Sequence, residues 1–182
     1  GATRAVVFLQ GGNACFNSAS CFITANTDGY GRSKFESEIA QLGSRSAFDR
    51  ANPDNPFRDA SLVYVPYCTG DVHAGNEPNG MIGGQRRVFV GYRNLELYLD
   101  RVVPTLAGVT DVALVGVSAG GFGAALDFDL VQRRFGPNVR VTLVDDSGPP
   151  MSGEYIAPCL QAHFRQTWGL DNGALSTCPM CN

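Results

Sequence analysis

The chain has 182 residues, of which 44% are hydrophobic and 17% charged, the composition of one ordinary globular domain with a sizeable core. The formal net charge is −3 and no Lys/Arg run exceeds two residues, which argues against a nucleic-acid-binding surface. No apolar segment approaches the roughly 18–20 residues that span a bilayer, so we expect no membrane span. No signal peptide is visible, because a strand pattern starts almost at once, and a mature or trimmed chain would look the same.

Six cysteines and a single lysine, Lys34, indicate an oxidising, extracellular setting. Cys15 and Cys21 bound one short loop, and three further cysteines crowd the C-terminal region. Disulfides are the favoured interpretation, and the pairing stays open for Cys68, Cys159, Cys178 and Cys181.

A zinc site is the alternative use of the C-terminal cysteines. Cys178 and Cys181 form a C-x2-C pair, but a structural zinc ion needs four ligands, which only Cys159 and His163 could complete. The sequence therefore favours disulfides over zinc, and we predict neither a metal nor a cofactor.

The first half of the chain predicts two buried strands with polar segments between and after them. Apolar and β-branched residues fill 3–9 (TRAVVFL) and 61–66 (SLVYVP). The turn QGGN at residues 10–13 follows the first strand and exposes backbone N–H groups. A polar, Gly-rich stretch with one helical patch over 34–42 lies between the strands, and a long polar loop runs from the second strand through Gly84.

The second half alternates strands and helices. Its patterns predict a short strand over 87–92, a helix over 94–107 with Pro104 near its end, a buried strand over 112–115, a helix over 124–135, a strand over 138–144 and a helix over 156–168. Such alternation implies an α/β fold with a mostly parallel sheet and helices on both faces. With no internal repeat and no linker, we expect a single domain over residues 1–182.

Residues 111–123, DVALVGVSAGGFG, form the most informative stretch. An apolar strand runs into Gly-x-Ser-x-Gly and then into a helix, which is the pattern of a nucleophile elbow. Such a turn holds Ser118 in a strained backbone conformation, with its hydroxyl pushed out of the sheet above the N-terminus of the next helix. The pattern alone is short, and its value comes from the strand before it and the helix after it.

Polar and Gly-rich segments follow each predicted strand. In a parallel sheet these segments lie together at the carboxyl ends of the strands, which is where functional groups gather. A serine nucleophile needs oxyanion donors, and the N–H of Ala119, the residue after it, is one. A second donor should come from the Gly-rich turn of an earlier strand, where Gly12 and Asn13 lie. The sequence thus predicts an active site at this edge.

A general base is harder to find, because the chain has only two histidines. The order Ser118, Asp146, His163 could form a triad, but His163 lies within a predicted helix rather than a mobile loop. We favour a structural or surface role for His163, and a loop position near the site for His73.

Four blocks together resemble the pectin acetylesterase/Notum family of serine carboxylesterases. In order along the chain they are LQGG with CFN and Cys21 (residues 9–21), VPYCTGDVHAG (65–75), GVSAGGFG (116–123) and DSG (146–148). The PYC-x-x-D-V part is far more specific than Gly-x-Ser-x-Gly. Because the region around Trp168 is also similar, the resemblance spans almost the whole chain.

The resemblance implies an α/β-hydrolase fold and hydrolysis of acyl esters, acetyl or longer, by a Ser-Asp-His triad without metal. It places the nucleophile at Ser118, the oxyanion donors at Gly12, Asn13 and Ala119, and a disulfide between Cys15 and Cys21. It also implies secretion and an ester substrate that is an acylated polysaccharide, a lipid-like molecule or a polyester.

The family's catalytic Asp and His lie well beyond its DSG block, whereas this sequence ends at Asn182. We therefore expect the acid and base on a second fragment of the same protein, so that these residues are the N-terminal part of the fold. A minimal variant with in-chain residues is less favoured. The alternative function is a non-catalytic binding protein on the same scaffold.

Overall fold

The structure, a computed structural model, describes residues 2–23, 30–43 and 47–177. Its strands are β1 (Arg4–Leu9), β2 (Ser61–Val65), β3 (Glu77–Ile82), β4 (Gln85–Phe89), β5 (Asp111–Val117) and β6 (Arg140–Asp146). Its helices are α1 (Ser18–Phe22), α2 (Arg32–Leu42), α3 (Gly91–Thr105), α4 (Ala119–Leu126), α5 (Phe128–Phe135) and α6 (Pro158–Trp168), followed by a 3₁₀ turn (Leu170–Asn172).

The main sheet is parallel, with the strand order β2-β1-β5-β6. From β1 the chain first adds β2 on one side and later adds β5 and β6 on the other. The topological switch point therefore lies between β1 and β5, the position at which open α/β sheets bind their ligands. The predicted mostly parallel α/β sheet is confirmed.

The sheet is covered on both faces at its central strand β1, as alternate residues of that strand show. Val7 and Leu9 belong to a buried cluster formed with α3, α4 and α5. Val6 and Phe8 point the other way into a second cluster, against which Ile39 of α2 packs. A strand that buries both sets of side chains must be apolar at every position, which explains the unbroken run in β1.

Several elements differ from the sequence prediction, among them α1, which lies in a segment predicted as a loop. The predicted helix over 124–135 is two helices, because Asp127 adopts φ −97° and ψ 5° and ends α4. The predicted strand over 87–92 is wrong in its bounds, since β4 ends at Phe89 and α3 already begins at Gly91. The predicted long loop contains β3, whose sequence EPNGMI has no strand periodicity and is held by antiparallel pairing with β4.

Strand β6 pairs on one side only, with β5, among the described residues. Its neighbours Leu143 and Val144 point to opposite faces and are 38% and 39% exposed. Apolar side chains exposed on both faces are typical of an interior strand that lacks covering groups, not of a natural edge.

Leu114 in the centre of β5 is fully buried, and its replacement by alanine would leave a cavity in the cluster beneath α3 and α5. We expect Leu114→Ala to lower the free energy of unfolding by about 2–5 kcal/mol in urea denaturation. Leu97→Ala, on the exposed face of α3, is the matched control and should change it by less than about 1 kcal/mol. Equal effects of the two variants would contradict this account of the core.

Candidate active site at the carboxyl edge of the sheet

Ser118 connects β5 to α4 in a left-handed backbone conformation, with φ 54° and ψ −119°. Its side chain is exposed, although its neighbour Ala119 is buried. A positive φ is costly for serine and persists only where the surrounding structure imposes it. The predicted strand, sharp turn and helix are present, and the hydroxyl of Ser118 makes no hydrogen bond to the first turn of α4.

Glycines impose this turn by letting main chains approach closely. A Cβ added to Gly116 would lie 1.9 Å from the carbonyl oxygen of Gly120, and one added to Gly120 would lie 2.1 Å from that of Leu9. Any side chain at either position would separate β5, α4 and β1. The glycines on both sides of Ser118 are therefore a packing requirement of the crossing.

The loop after β1, residues 10–16, lies beside Ser118 and is called the β1 loop. A Cβ built on Gly11 would lie 3.5 Å from the Cβ of Ser118. Across the described residues, no hydrogen bond takes up the N–H of Gly12, Asn13 or Ala119. The structure thus brings the predicted oxyanion donors to the switch point with their N–H groups free, and the Asn13 side chain donates instead to the carbonyl of Ile23 at 2.9 Å.

The loop after β2, residues 66–75, supports the β1 loop from below. The Gln10 side chain accepts a hydrogen bond from the N–H of Tyr67 at 2.8 Å, and the ring of Tyr67 packs so closely that a Cβ on Gly12 would lie 2.4 Å from it. The Tyr67 hydroxyl in turn accepts from the N–H of Val72 at 2.9 Å. A bulky, fully buried side chain thereby fixes where Gly12 can lie.

His73 is part of this support. Its Nε2 lies 2.9 Å from the main-chain oxygen of Gln10, and since that oxygen can only accept, the ring nitrogen must be the donor. The ring is 3% exposed, and burial lowers the pKa of His73 to about 4. A neutral imidazole bound to the main chain positions the β1 loop and is not available as a general base.

Asp71, next to it, is fully buried and accepts hydrogen bonds from the Thr69 hydroxyl at 2.5 Å and from the N–H of Gly91 at 2.8 Å. Burial raises the pKa of Asp71, and these hydrogen bonds oppose that shift. The carboxylate joins the β2 loop to the first residue of α3. Sequence reasoning left Asp71 as a motif residue without a role, because its partner Gly91 lies on another element.

The in-chain triad is not assembled. His163 of α6 points to the β1 loop, with Nε2 2.7 Å from the carbonyl oxygen of Phe16. Asp146 accepts a hydrogen bond from its neighbour Ser147 at 2.7 Å, and none joins it to either histidine within the described residues. His163 therefore has the structural role that the sequence favoured for it.

The disulfide that the resemblance implies is present between Cys15 and Cys21. Within the described ranges Cys68 is half-buried, Cys159 is exposed, and neither is bonded to another cysteine. Cys178 and Cys181 lie outside the described residues. No group of His, Cys, Asp and Glu that could hold a metal ion occurs in the described part of the chain, nor does any helix there have the length and apolar character to cross a membrane.

An apolar cavity of about 870 Å³ is lined by Phe122, one helical turn beyond Ser118. Ala14 of the β1 loop and Phe122 of α4 line it on the side of the site, and the N–H of Phe122 donates to the carbonyl of Ser118 at 3.1 Å. The remaining walls come from α4, α5, α6 and the segments that flank α6, and include Leu126, Met151, Ile156, Phe164 and Trp168. Sequence reasoning missed this cavity, because its walls are far apart along the chain.

The α/β-hydrolase-like class is defined by a parallel sheet with a nucleophile at its switch point. This structure has that arrangement, because the exposed, positive-φ Ser118 lies before the N-terminus of α4 and next to the β1 loop. Within that class the chain belongs to the pectinacetylesterase (PAE) family, whose sequence profile matches residues 1–181. The family resemblance seen in the sequence is confirmed.

Individual relatives agree. Over 136 residues the chain is 36% identical to the palmitoleoyl-protein carboxylesterase NOTUM of Schmidtea mediterranea, a match that covers 71% of this chain and 24% of the relative. It is 26% identical to pectin acetylesterase 4 of Arabidopsis thaliana, covering 81% of this chain and 36% of the relative. The solved structure of the Wnt deacylase Notum from Drosophila superposes with a TM-score of 0.61 at 23% identity, covering 93% of this chain and 53% of that one. The chain thus spans about half of that solved structure and a third or less of most curated relatives it matches.

Asp127, between α4 and α5, is a polar residue that sequence reasoning missed. It is fully buried, and neither of its carboxylate oxygens has a hydrogen-bond partner in the described ranges. Burial, together with the charges of Asp71 and Glu96, raises the pKa of Asp127 well above the usual carboxyl range. Folding therefore favours the protonated, neutral form of this carboxyl group, and nothing in its helical sequence context signals this.

We expect Asp127→Asn to stabilise the protein at neutral pH. Folding raises the pKa of this Asp. At pH values below its pKa in the unfolded chain, the side chain is protonated in both states and does not lower the free energy of unfolding. As the pH rises from there to the pKa in the folded state, the free energy of unfolding falls. The variant is neutral at every pH, so its Tm should exceed that of the wild type at pH 7, by about 2–4 °C for each kcal/mol, and the difference should shrink towards pH 4.

Asp129→Asn, two residues further on and exposed in an ion pair with Arg133, is the control and should shift Tm little at either pH. A Tm difference for Asp127→Asn that is the same at pH 4 and pH 7 would rule out a buried neutral acid.

Proposed function

We propose that this chain is the nucleophile-bearing part of a secreted serine carboxylesterase. The single observation that carries the proposal is the backbone of Ser118: a strained, positive-φ serine at the switch point, exposed between a half-buried Val117 and a buried Ala119. Backbone strain of this kind clusters at active sites and ligand-binding segments, and among the described residues Ser118 combines it with an exposed side chain next to a helix N-terminus. The family names, carboxylesterase and pectin acetylesterase, support the same reaction class.

In this mechanism the Ser118 hydroxyl attacks the acyl carbonyl, and the carbonyl oxygen becomes the oxyanion of a tetrahedral intermediate. The free N–H groups of Gly12, Asn13 and Ala119 are the donors, and they cost no reorganisation because their loops are already fixed. The N-terminus of α4 adds a favourable dipole at the same point. Loss of the alcohol leaves an acyl-Ser118 ester, which water then hydrolyses.

We propose that the general base and its orienting acid come from polypeptide outside these 182 residues. The chain has two histidines, and both direct Nε2 to main-chain oxygens of the β1 loop. The matched relatives are much longer, and β6 leaves one edge and two apolar side chains uncovered. Further polypeptide packed along β6 would stand next to the loop that carries Ser118, whose N–H bonds to Asp146 at the end of β6.

We also propose that residues 1–182 form one α/β-hydrolase-like domain with that further polypeptide. Ala174, close to the C-terminal end, packs against both the cluster under α3 and the cluster around Tyr67, so the described chain has no separable end unit. Secretion is supported by the Cys15–Cys21 disulfide, which persists in oxidising compartments.

The substrate we propose is an ester with an apolar acyl group longer than acetyl. The cavity beside Ser118 is lined mostly by hydrophobic side chains and begins one helical turn beyond the nucleophile. A bound alkyl chain would bury its methylenes there at about 0.8 kcal/mol each. An acetyl ester would leave most of this volume unused, although the polysaccharide part of a substrate could still lie outside it.

A fluorophosphonate probe tests the nucleophile in the natural, full-length protein. We expect covalent labelling of Ser118 and hydrolysis of p-nitrophenyl esters, both abolished by Ser118→Ala. Ser152→Ala, an exposed serine in the loop before α6, is the matched control and should retain both. Correctly folded wild-type protein that shows no adduct and no turnover above Ser118→Ala would instead indicate a non-catalytic binding protein.

Filling the cavity tests the acyl preference. Ala125→Phe places a ring into the cavity wall and should lower kcat/KM for p-nitrophenyl octanoate roughly tenfold while leaving the acetate ester nearly unchanged. Ala107→Phe, an exposed position after α3, makes the same substitution away from the cavity and should alter neither. An equal loss for both esters in Ala125→Phe would overturn the assignment of the cavity to the acyl chain.

A further inference from the structure

Helix α6 holds the β1 loop by two main-chain carbonyl groups. The indole N–H of Trp168 donates to the carbonyl of Cys15 at 2.7 Å, and Nε2 of His163 donates to that of Phe16, also at 2.7 Å. These partners are 153 and 147 residues apart in sequence. The two contacts are called the α6 clamp.

Aromatic packing fixes the geometry of the clamp. The rings of Phe164 and Trp168 stack in parallel with centroids 4.8 Å apart, and Phe16 meets Phe164 edge to face at 5.1 Å. Trp168 is 3% exposed and Cys15 is 4% exposed. A donor and an acceptor buried this deeply must stay paired, because leaving either unpaired costs about 1–3 kcal/mol.

The clamp completes a set of restraints at the two ends of the β1 loop. At the start, the main-chain oxygen of Gln10 is held by His73. At the end, the N–H of Cys15 donates to the carbonyl of Gly70 at 2.7 Å, while its carbonyl is held by Trp168. Between these anchors the N–H groups of Gly12 and Asn13 have no hydrogen-bond partner in the part of the chain that the structure describes.

We propose that Trp168 is a positioning residue for the oxyanion hole, with His163 as its auxiliary. Both peptide groups that flank the Cα of Cys15 are fixed, one by Gly70 and the other by Trp168, so the direction in which the chain leaves Asn13 is fixed as well. An oxyanion donor contributes only when it points at the developing charge, and small displacements are costly. The inference rests on the proposed function, since the hole matters only if Ser118 forms an oxyanion.

Trp168→Phe tests the clamp, because it keeps an aromatic ring to stack on Phe164 and removes the indole N–H donor, together with one ring of the buried indole. In the full-length protein we expect hydrogen exchange of the peptide covering residues 12–16 to rise about tenfold. We also expect kcat for p-nitrophenyl acetate, whose acyl group is too short to fill the cavity that Trp168 helps to line, to fall about 10- to 100-fold with KM changed less than about twofold, since donors to the oxyanion act in the transition state.

Two further variants keep the test valid if Trp168→Phe folds poorly. His163 is exposed, so His163→Leu removes the second contact with little effect on packing and should lower kcat several-fold. His163→Gln retains an N–H donor and should restore most of the loss. Val131→Ala, in the cluster beneath α5, controls for general destabilisation and should leave both exchange at 12–16 and kcat near wild type.

The outcomes separate the two proposals. Unchanged exchange at residues 12–16 in Trp168→Phe overturns the clamp, whatever the activity. Raised exchange with unchanged kcat overturns the positioning role. Wild-type protein no more active than Ser118→Ala removes the proposed function and the positioning role with it, while the exchange result still decides whether α6 restrains the loop.

Discussion

The structure depends on one steric constraint, the close approach of three main chains where β1, β5 and α4 meet. A Cβ on Gly116 would lie 1.9 Å from the carbonyl oxygen of Gly120, and a Cβ on Gly120 would lie 2.1 Å from that of Leu9, so no side chain fits at either position. This approach sets the sharp angle between β5 and α4 and imposes the positive φ of Ser118. It also places the end of β1 beside the end of β5, so the serine and the free N–H groups meet by backbone geometry alone.

A second layer of buried polar groups transmits this order to the loops. In the loop after β2, Asp71 accepts from the N–H of Gly91 and His73 binds the main-chain oxygen of Gln10, while the N–H of Tyr67 donates to the Gln10 side chain. Buried polar networks of this kind specify one arrangement because every alternative leaves a group unpaired. Burying acidic groups close together also destabilises the fold at Asp127, whose carboxyl group lies near Asp71 and Glu96 and has no hydrogen-bond partner among the described residues.

Much of the fold could be predicted from the sequence because its signals are local. The apolar runs of β1, β2 and β5, the helix after Ser118 and the Gly-x-Ser-x-Gly turn each reflect short-range rules of burial and backbone freedom. Errors occurred where a tertiary contact overrides local pattern. Strand β3 exists only through its pairing with β4, and the break at Asp127 interrupts a sequence that is helical on both sides.

The sequence by itself determined the family through its motifs: the elbow around Ser118, the Gly-rich turn after β1 and the PYC-x-x-D-V block. It could not assign the two histidines, since a ring nitrogen is a base or a donor according to the group that faces it. Only the tertiary structure decided that His73 and His163 both bind main-chain oxygens of the β1 loop. It also decided that Trp168 of α6, far away in sequence, donates to the same loop. The physical reason is that a side chain's chemistry depends on its solvent exposure and its partners, and here those partners are brought together across as many as 153 residues.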